Sequence, residues 1–168
     1  MLLLSKTLIV FSTKIGLSGR SAEIITNILR EKYEQDVDIM NLEEEKIKQK
    51  ELENYENIII DSGINMNRWY SKSLKFLKLD FTNKRVFVFI CSMSAIKALE
   101  ENDSILYQQK IKQYLDDVVG KNPTIKLISK EIFGGKKKDK GDLKWENWKQ
   151  EFVEQWAYKI SKEITKIN

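Results

Sequence analysis

Leu8-Ile9-Val10-Phe11-Ser12-Thr13-Lys14-Ile15-Gly16-Leu17-Ser18-Gly19-Arg20-Ser21-Ala22 decides how the rest of the chain is read. An apolar run ends in two hydroxyl residues. A glycine, a third hydroxyl and a second glycine follow, and an amphipathic segment comes next. A phosphate-binding turn has this order: a buried strand brings the chain to a sheet edge, small residues let backbone N–H groups converge, and a helix N-terminus adds free donors and a positive dipole end. The candidate phosphate ligands are Ser12, Thr13, Lys14, Ile15, Gly16, Leu17 and Ser18, through hydroxyls, an ammonium or backbone amides. The spacing is neither a Walker loop nor the dinucleotide fingerprint. An ordinary strand, turn and helix with a hydroxyl cap would read the same way locally, so the other segments carry the decision.

Outward from this loop, strands and helices alternate. The pattern predicts a strand over 6–12, a helix over 19–33 with Ala22, Ile25, Ile28 and Leu29 inward, and a short strand over 37–40. Ile58-Ile59-Ile60 and 86–90 are continuous apolar runs, expected of strands buried on both faces. Helices are expected over 68–79 and 95–119. A last strand over 126–128 reaches Ile132-Phe133-Gly134-Gly135. A final helix over 143–164 is expected to carry Trp145, Trp148, Phe152 and Trp156 on one buried face. The fold class is therefore α/β, a doubly wound three-layer sandwich. Its sheet has five parallel strands in the order 2-1-3-4-5, and ligands bind beyond the strands' carboxyl ends.

Two further loops fall at that edge. Ser62, Gly63, Ile64, Asn65 and Trp69 follow the third strand, with Tyr70 beside them. Cys91, Ser92, Met93 and Ser94 follow the fourth. Gly63 would let a flat ligand approach, and small residues with exposed amides would bond its edge. Cys91 reads as a small buried hydrophobe.

Composition narrows the chemistry. The chain has 168 residues, one cysteine and no histidine. That excludes an internal disulfide, a Ser-His-Asp triad and a histidine metal site, so no catalytic side chain and no metal ligand is assigned. The length suits one domain spanning 1–168. A net charge of +4 is mild and does not indicate nucleic acid. No run suits a membrane helix or a signal peptide, so a cytoplasmic location is expected. Lys136, Lys137, Lys138 and Lys140 form a basic run that would face an acidic partner or an anionic lipid surface.

The first loop resembles the first flavin mononucleotide (FMN) loop of flavodoxins. Phe11, Thr13, Gly16 and Ala22 fall on that pattern, and Ser18 takes the place of a threonine. The loop after the third strand, the helix Lys72-Ser73-Leu74-Lys75-Phe76-Leu77 and the segment from Ile132 to Lys140 are similar to one flavodoxin branch. That branch includes the quinone-dependent protoporphyrinogen dehydrogenases. The resemblance implies a flavodoxin-like fold, bound FMN and electron transfer, with the flavin supplying the chemistry. Two departures stand out. Asp61 replaces a usual glycine, which would cost phosphate binding unless Lys14 or Arg20 compensates. Gly63 stands where many flavodoxins offer a hydroxyl. These departures leave open a flavin-free interaction module on the same scaffold.

Overall fold

A computed structural model describes residues 5–13 and 16–166. Its elements in chain order begin with β1 (Lys6–Phe11), α1 (Leu17–Tyr33), β2 (Asp36–Asn41), α2 (Gln49–Leu52), β3 (Asn57–Asn65) and β4 (Arg68–Trp69). Next come α3 (Ser71–Phe76), β5 (Arg85–Cys91), α4 (Met93–Glu100) and α5 (Ser104–Ile111). A π-helical turn (Lys112–Asp116) leads into α6 (Asp117–Val119). The chain ends with β6 (Leu127–Phe133), β7 (Lys136–Asp139), β8 (Asp142–Glu146) and α7 (Gln150–Ile164). The main sheet runs β2-β1-β3-β5-β6, and every pairing along it is parallel. In order of main strands this is the expected 2-1-3-4-5. The short β4 is an extra antiparallel partner of β3.

Strand alternation divides the core in two. Leu8, Val10, Ile58, Ile60, Val86, Val88 and Ile90 point to one side, where Phe76, Phe81, Tyr114 and Leu115 cover them. Ile9, Ile59, Phe87 and Phe89 point to the other, against Ile25 and Leu29 of α1 and Val153, Trp156 and Ile160 of α7. The Ile58–Ile60 run is apolar without a break because its residues serve both layers in turn.

Three expectations are corrected. The helix expected over 68–79 is a β-hairpin followed by one short helix. Met66 and Asn67 take positive φ of 50° and 62°, so the chain reverses and β4 pairs back onto β3. The helix expected over 95–119 is broken. Asn102 turns left-handed at φ 58°, and Asp103 caps α5 by accepting from the Leu106 N–H at 3.0 Å. The largest change is at 143–164, where the helix begins only at Gln150. Before it, β7 and β8 form a hairpin turning at Lys140 (φ 50°) and Gly141 (φ 86°). Asp142-Leu143-Lys144-Trp145-Glu146 alternates polar and apolar with period two, and that strand pattern wins over the aromatic spacing. Trp148 and Trp156 are buried, whereas Trp145 and Phe152 are 38% and 48% exposed. Among the described residues, no helix is long and apolar enough to cross a membrane.

Candidate functional site

The carboxyl ends of β1, β3 and β5 open into one crevice of about 120 Å³. Thr13, Leu17 and Ser18 line it from the first loop, Gly63, Ile64 and Tyr70 from the β3–β4 hairpin, and Cys91 and Met93 from the end of β5. A fourth wall, Gly135 and Lys136, comes from the entry to β7. The three loops expected to converge do so because β1 lies between β2 and β3, which is where the strand order reverses.

The first loop ends at Gly16, which is exposed and left-handed at φ 89°. The Thr13 hydroxyl accepts from the Gly16 N–H at 3.2 Å and shapes the turn. Helix α1 then starts with no side-chain cap and no acidic residue in its first turn. Its leading N–H groups and dipole end are thus left for an anion. Lys14 and Ile15 lie outside the described residues. Ser12 is buried and donates to Glu43, which ties the loop to the turn after β2. Ser18 is 1% exposed, and among the described residues its Oγ has no hydrogen-bond partner.

The hairpin sorts its residues by strand parity. Ser62 is interior: its hydroxyl accepts from the Tyr70 N–H at 2.9 Å and donates to the Gly63 carbonyl at 2.7 Å. Adjacent strand residues face opposite ways. Trp69 therefore enters the core, where its Nε1 donates to the Tyr114 carbonyl at 2.6 Å, and Tyr70 faces the crevice. A flat ligand in the crevice would meet Tyr70, not Trp69. Tyr70 also explains the glycine below it, since a Cβ on Gly63 would stand 2.9 Å from the ring. Asn65 is exposed near the hairpin tip, and the Tyr114 hydroxyl donates to Asn67 at 2.6 Å.

At the end of β5, the Ser92 hydroxyl caps α4 by accepting from the Ala95 N–H at 3.3 Å. Met93 lines the crevice, while Ser94 is exposed on the first turn of α4. Cys91 is buried, and burial with the neighbouring Asp61 raises its thiol well above the ordinary value. This is the environment of an inert thiol.

Asp61 departs most from expectation. It is fully buried, and among the described residues neither carboxylate oxygen has a hydrogen-bond partner. Burial pushes its pKa well above the ordinary carboxylate value, and the nearby Ser18 hydroxyl offsets this only in part. A charged, unpaired carboxylate in that place would be very costly, so burial favours the protonated form of Asp61. In that form it presents no negative charge to a phosphate. Arg20 is not free to compensate either, because its guanidinium stacks over Trp148 at 4.6 Å.

The fourth wall was not assigned from sequence. Asn147 holds it: its Oδ1 accepts from the Gly135 N–H at 2.8 Å, and its Nδ2 donates to the Met93 carbonyl at 3.0 Å. The signal was Gly134-Gly135. A Cβ on Gly134 would lie 2.3 Å from the Asn147 carbonyl oxygen, so only glycine allows the approach.

Residues 8–140 match the family model described as the Flavodoxin domain. The chain belongs to this family. Solved structures agree on the fold. A flavodoxin from Streptococcus pneumoniae TIGR4 is 16% identical with a TM-score of 0.62, over 95% of this chain and 99% of that one. Flavodoxin 2 from Bacillus cereus is 18% identical with a TM-score of 0.61, over 95% and 99%. A flavo di-iron protein mutant from Thermotoga maritima is 14% identical with a TM-score of 0.62, over 95% of this chain and 36% of the other. No curated protein matches the chain. In this flavodoxin-domain chain, the crevice lies at the carboxyl edge where the doubly wound sheet places its ligands.

Proposed function

We propose that the crevice binds FMN and that the chain transfers electrons through it. The observation that carries this reading is the uncapped N-terminus of α1, opening at left-handed Gly16 onto a crevice shared by three strand ends. The residues fit the group. The α1 amides would hold the phosphate, the orphaned Ser18 hydroxyl is a buried donor beside it, and protonated Asp61 adds no repulsion. Ile64, Tyr70 and Met93 would flank the ring. When bound, the flavin supplies the capacity to take up and release electrons, and the protein supplies binding, orientation and electrostatics. The enclosed volume of about 120 Å³ is below the ~300–1,000 Å³ typical of cofactor pockets, so part of the ligand stays at the mouth, open to a partner. That small volume is also what favours the second reading, a flavin-free interaction module.

The narrower assignment, an oxidoreductase like the quinone-dependent protoporphyrinogen dehydrogenases, rests on the sequence resemblance around Gly134 to Lys140. Lys136 borders the crevice, and Lys137, Lys138 and Lys140 are exposed on the same hairpin. They would speed encounter with an acidic redox partner or with quinone in an anionic membrane, an effect that weakens with salt.

Gly16→Asp tests the phosphate site. The position is exposed and nothing lies within 4 Å of a Cβ there. Aspartate is among the side chains that best tolerate positive φ, at a cost of about 1–2 kcal/mol. The new carboxylate would sit where the phosphate is proposed to sit. FMN affinity is expected to fall about tenfold or more, while riboflavin, which lacks the phosphate, binds as before. Equal loss for both ligands would place the phosphate elsewhere.

A further inference from the structure

A second cavity lies away from the crevice, between the turn after β2 and helix α3. It encloses about 320 Å³ and is lined by Leu42, Ile47, Phe76 and Leu79, with Glu45 and four lysines, Lys46, Lys72, Lys75 and Lys78. Leu42 and Phe76 are 5% and 4% exposed, so the floor is continuous with the core. The lysines are exposed at the rim. Lys72, Lys75 and Lys78 follow one another at intervals of three, which brings them to one side of α3 and its following turn, and Lys46 stands on the opposite wall.

The walls are fixed without any ligand. The Leu42 N–H donates to the Phe11 carbonyl at 2.8 Å, which ties the turn to β1. The Ser73 hydroxyl donates to the Asp61 carbonyl at 2.8 Å, which ties α3 to β3. Beyond them a paired contact spans the gap: the Gln49 side chain donates to the Asp80 carbonyl at 2.8 Å and accepts from the Asp80 N–H at 2.7 Å. A preformed hollow loses little freedom on binding.

The charge here is lopsided. Four lysines face one glutamate, although the whole chain carries a net charge of only +4. None of the four lysines forms an ion pair among the described residues. Lysine stems can drape over an apolar floor with their ammonium groups in water. Four around one hollow would repel one another unless an anion entered between them.

We propose that this cavity binds a small amphipathic carboxylate, its hydrocarbon part on Leu42, Ile47, Phe76 and Leu79 and its carboxylate among the lysine ammonium groups. The volume suits a medium-length aliphatic or aryl chain, at the lower end of small-molecule sites. The proposal does not depend on the flavin reading, because the cavity shares no lining residue with the crevice.

The test is calorimetric titration of the full chain with decanoate, below its micelle concentration, at low and high salt. Saturable binding is expected, weakening as salt rises. Decylamine, with the same chain and the opposite charge, is expected to bind at least about tenfold more weakly. Lys72→Gln, Lys75→Gln and Lys78→Gln together are expected to weaken decanoate about tenfold and leave thermal unfolding and FMN affinity unchanged. Ile47→Asp adds a negative charge at the partly buried edge and should abolish binding. Equal affinity for decylamine, full retention by the triple variant or no saturable heat would each overturn the proposal. Binding to phosphatidylglycerol vesicles without binding of free decanoate would mean a surface patch and would overturn it too.

Discussion

Gly134→Ala is expected to lower the melting temperature by about 6–12 °C, corresponding to a loss of about 3 kcal/mol for a chain of this size. The added Cβ would stand 2.3 Å from the Asn147 carbonyl oxygen and 2.4 Å from its carbonyl carbon and Oδ1. These neighbours cannot swing aside. The Asn147 backbone N–H donates to the Gly135 carbonyl at 3.0 Å, while its side chain holds both Gly135 and Met93. The collision must displace the β7–β8 hairpin and the entry to α7, where Trp148 is buried with its Nε1 donating to Ser21 at 2.9 Å. Thermal unfolding followed by circular dichroism measures the effect. An unchanged midpoint would mean that the segment relaxes freely and does not wall the crevice.

Asp61→Asn should change how stability depends on pH. Burial raises the folded-state pKa of Asp61 well above the ordinary aspartate value of 3.8, which the unfolded chain retains. Between those two values the folded chain holds a proton that the unfolded chain has released. Parent stability therefore falls as pH rises through that window, by up to about 1.4 kcal/mol for each pH unit crossed. Asparagine has no proton to lose. The variant should be more stable than the parent at about pH 8, and the difference should shrink as the pH approaches about 4. Parallel melting curves across that range would show that Asp61 is not a buried neutral acid. FMN affinity at neutral pH should change less than about threefold, because a protonated carboxyl does not repel the phosphate.

The sequence carried the main sheet because each strand had its own signature. Ile58-Ile59-Ile60 had to serve two layers, and the glycine and hydroxyl residues after Phe11 had to form a turn. The hairpins were harder to see. At Met66-Asn67 no glycine announces the reversal, and a methionine at positive φ is rare enough that a helix was the natural expectation. At 142–146 the tryptophan spacing suggested a helix, and the shorter alternating strand pattern prevailed. The candidate site was legible as three loops but not in its details. Trp69 and Tyr70 are chemically similar, and only the pairing of Ile64 with Trp69 decides which of them faces the crevice. The state of Asp61 was hidden for a similar reason. A carboxylate's charge depends on its burial, and Asp61 is enclosed by elements distant in sequence, with β5 paired beside it and Ser18 of α1 nearby.

If the crevice holds FMN by its phosphate end, the purified chain should tell FMN from riboflavin. The most direct measurement is a titration with each flavin separately, following flavin fluorescence and the visible absorption bands. Saturation is predicted at about one FMN per chain, with shifted absorption bands and riboflavin binding at least about tenfold more weakly. FMN bands and fluorescence left unchanged by excess protein would contradict it, and the crevice would then belong to an interaction module without a flavin.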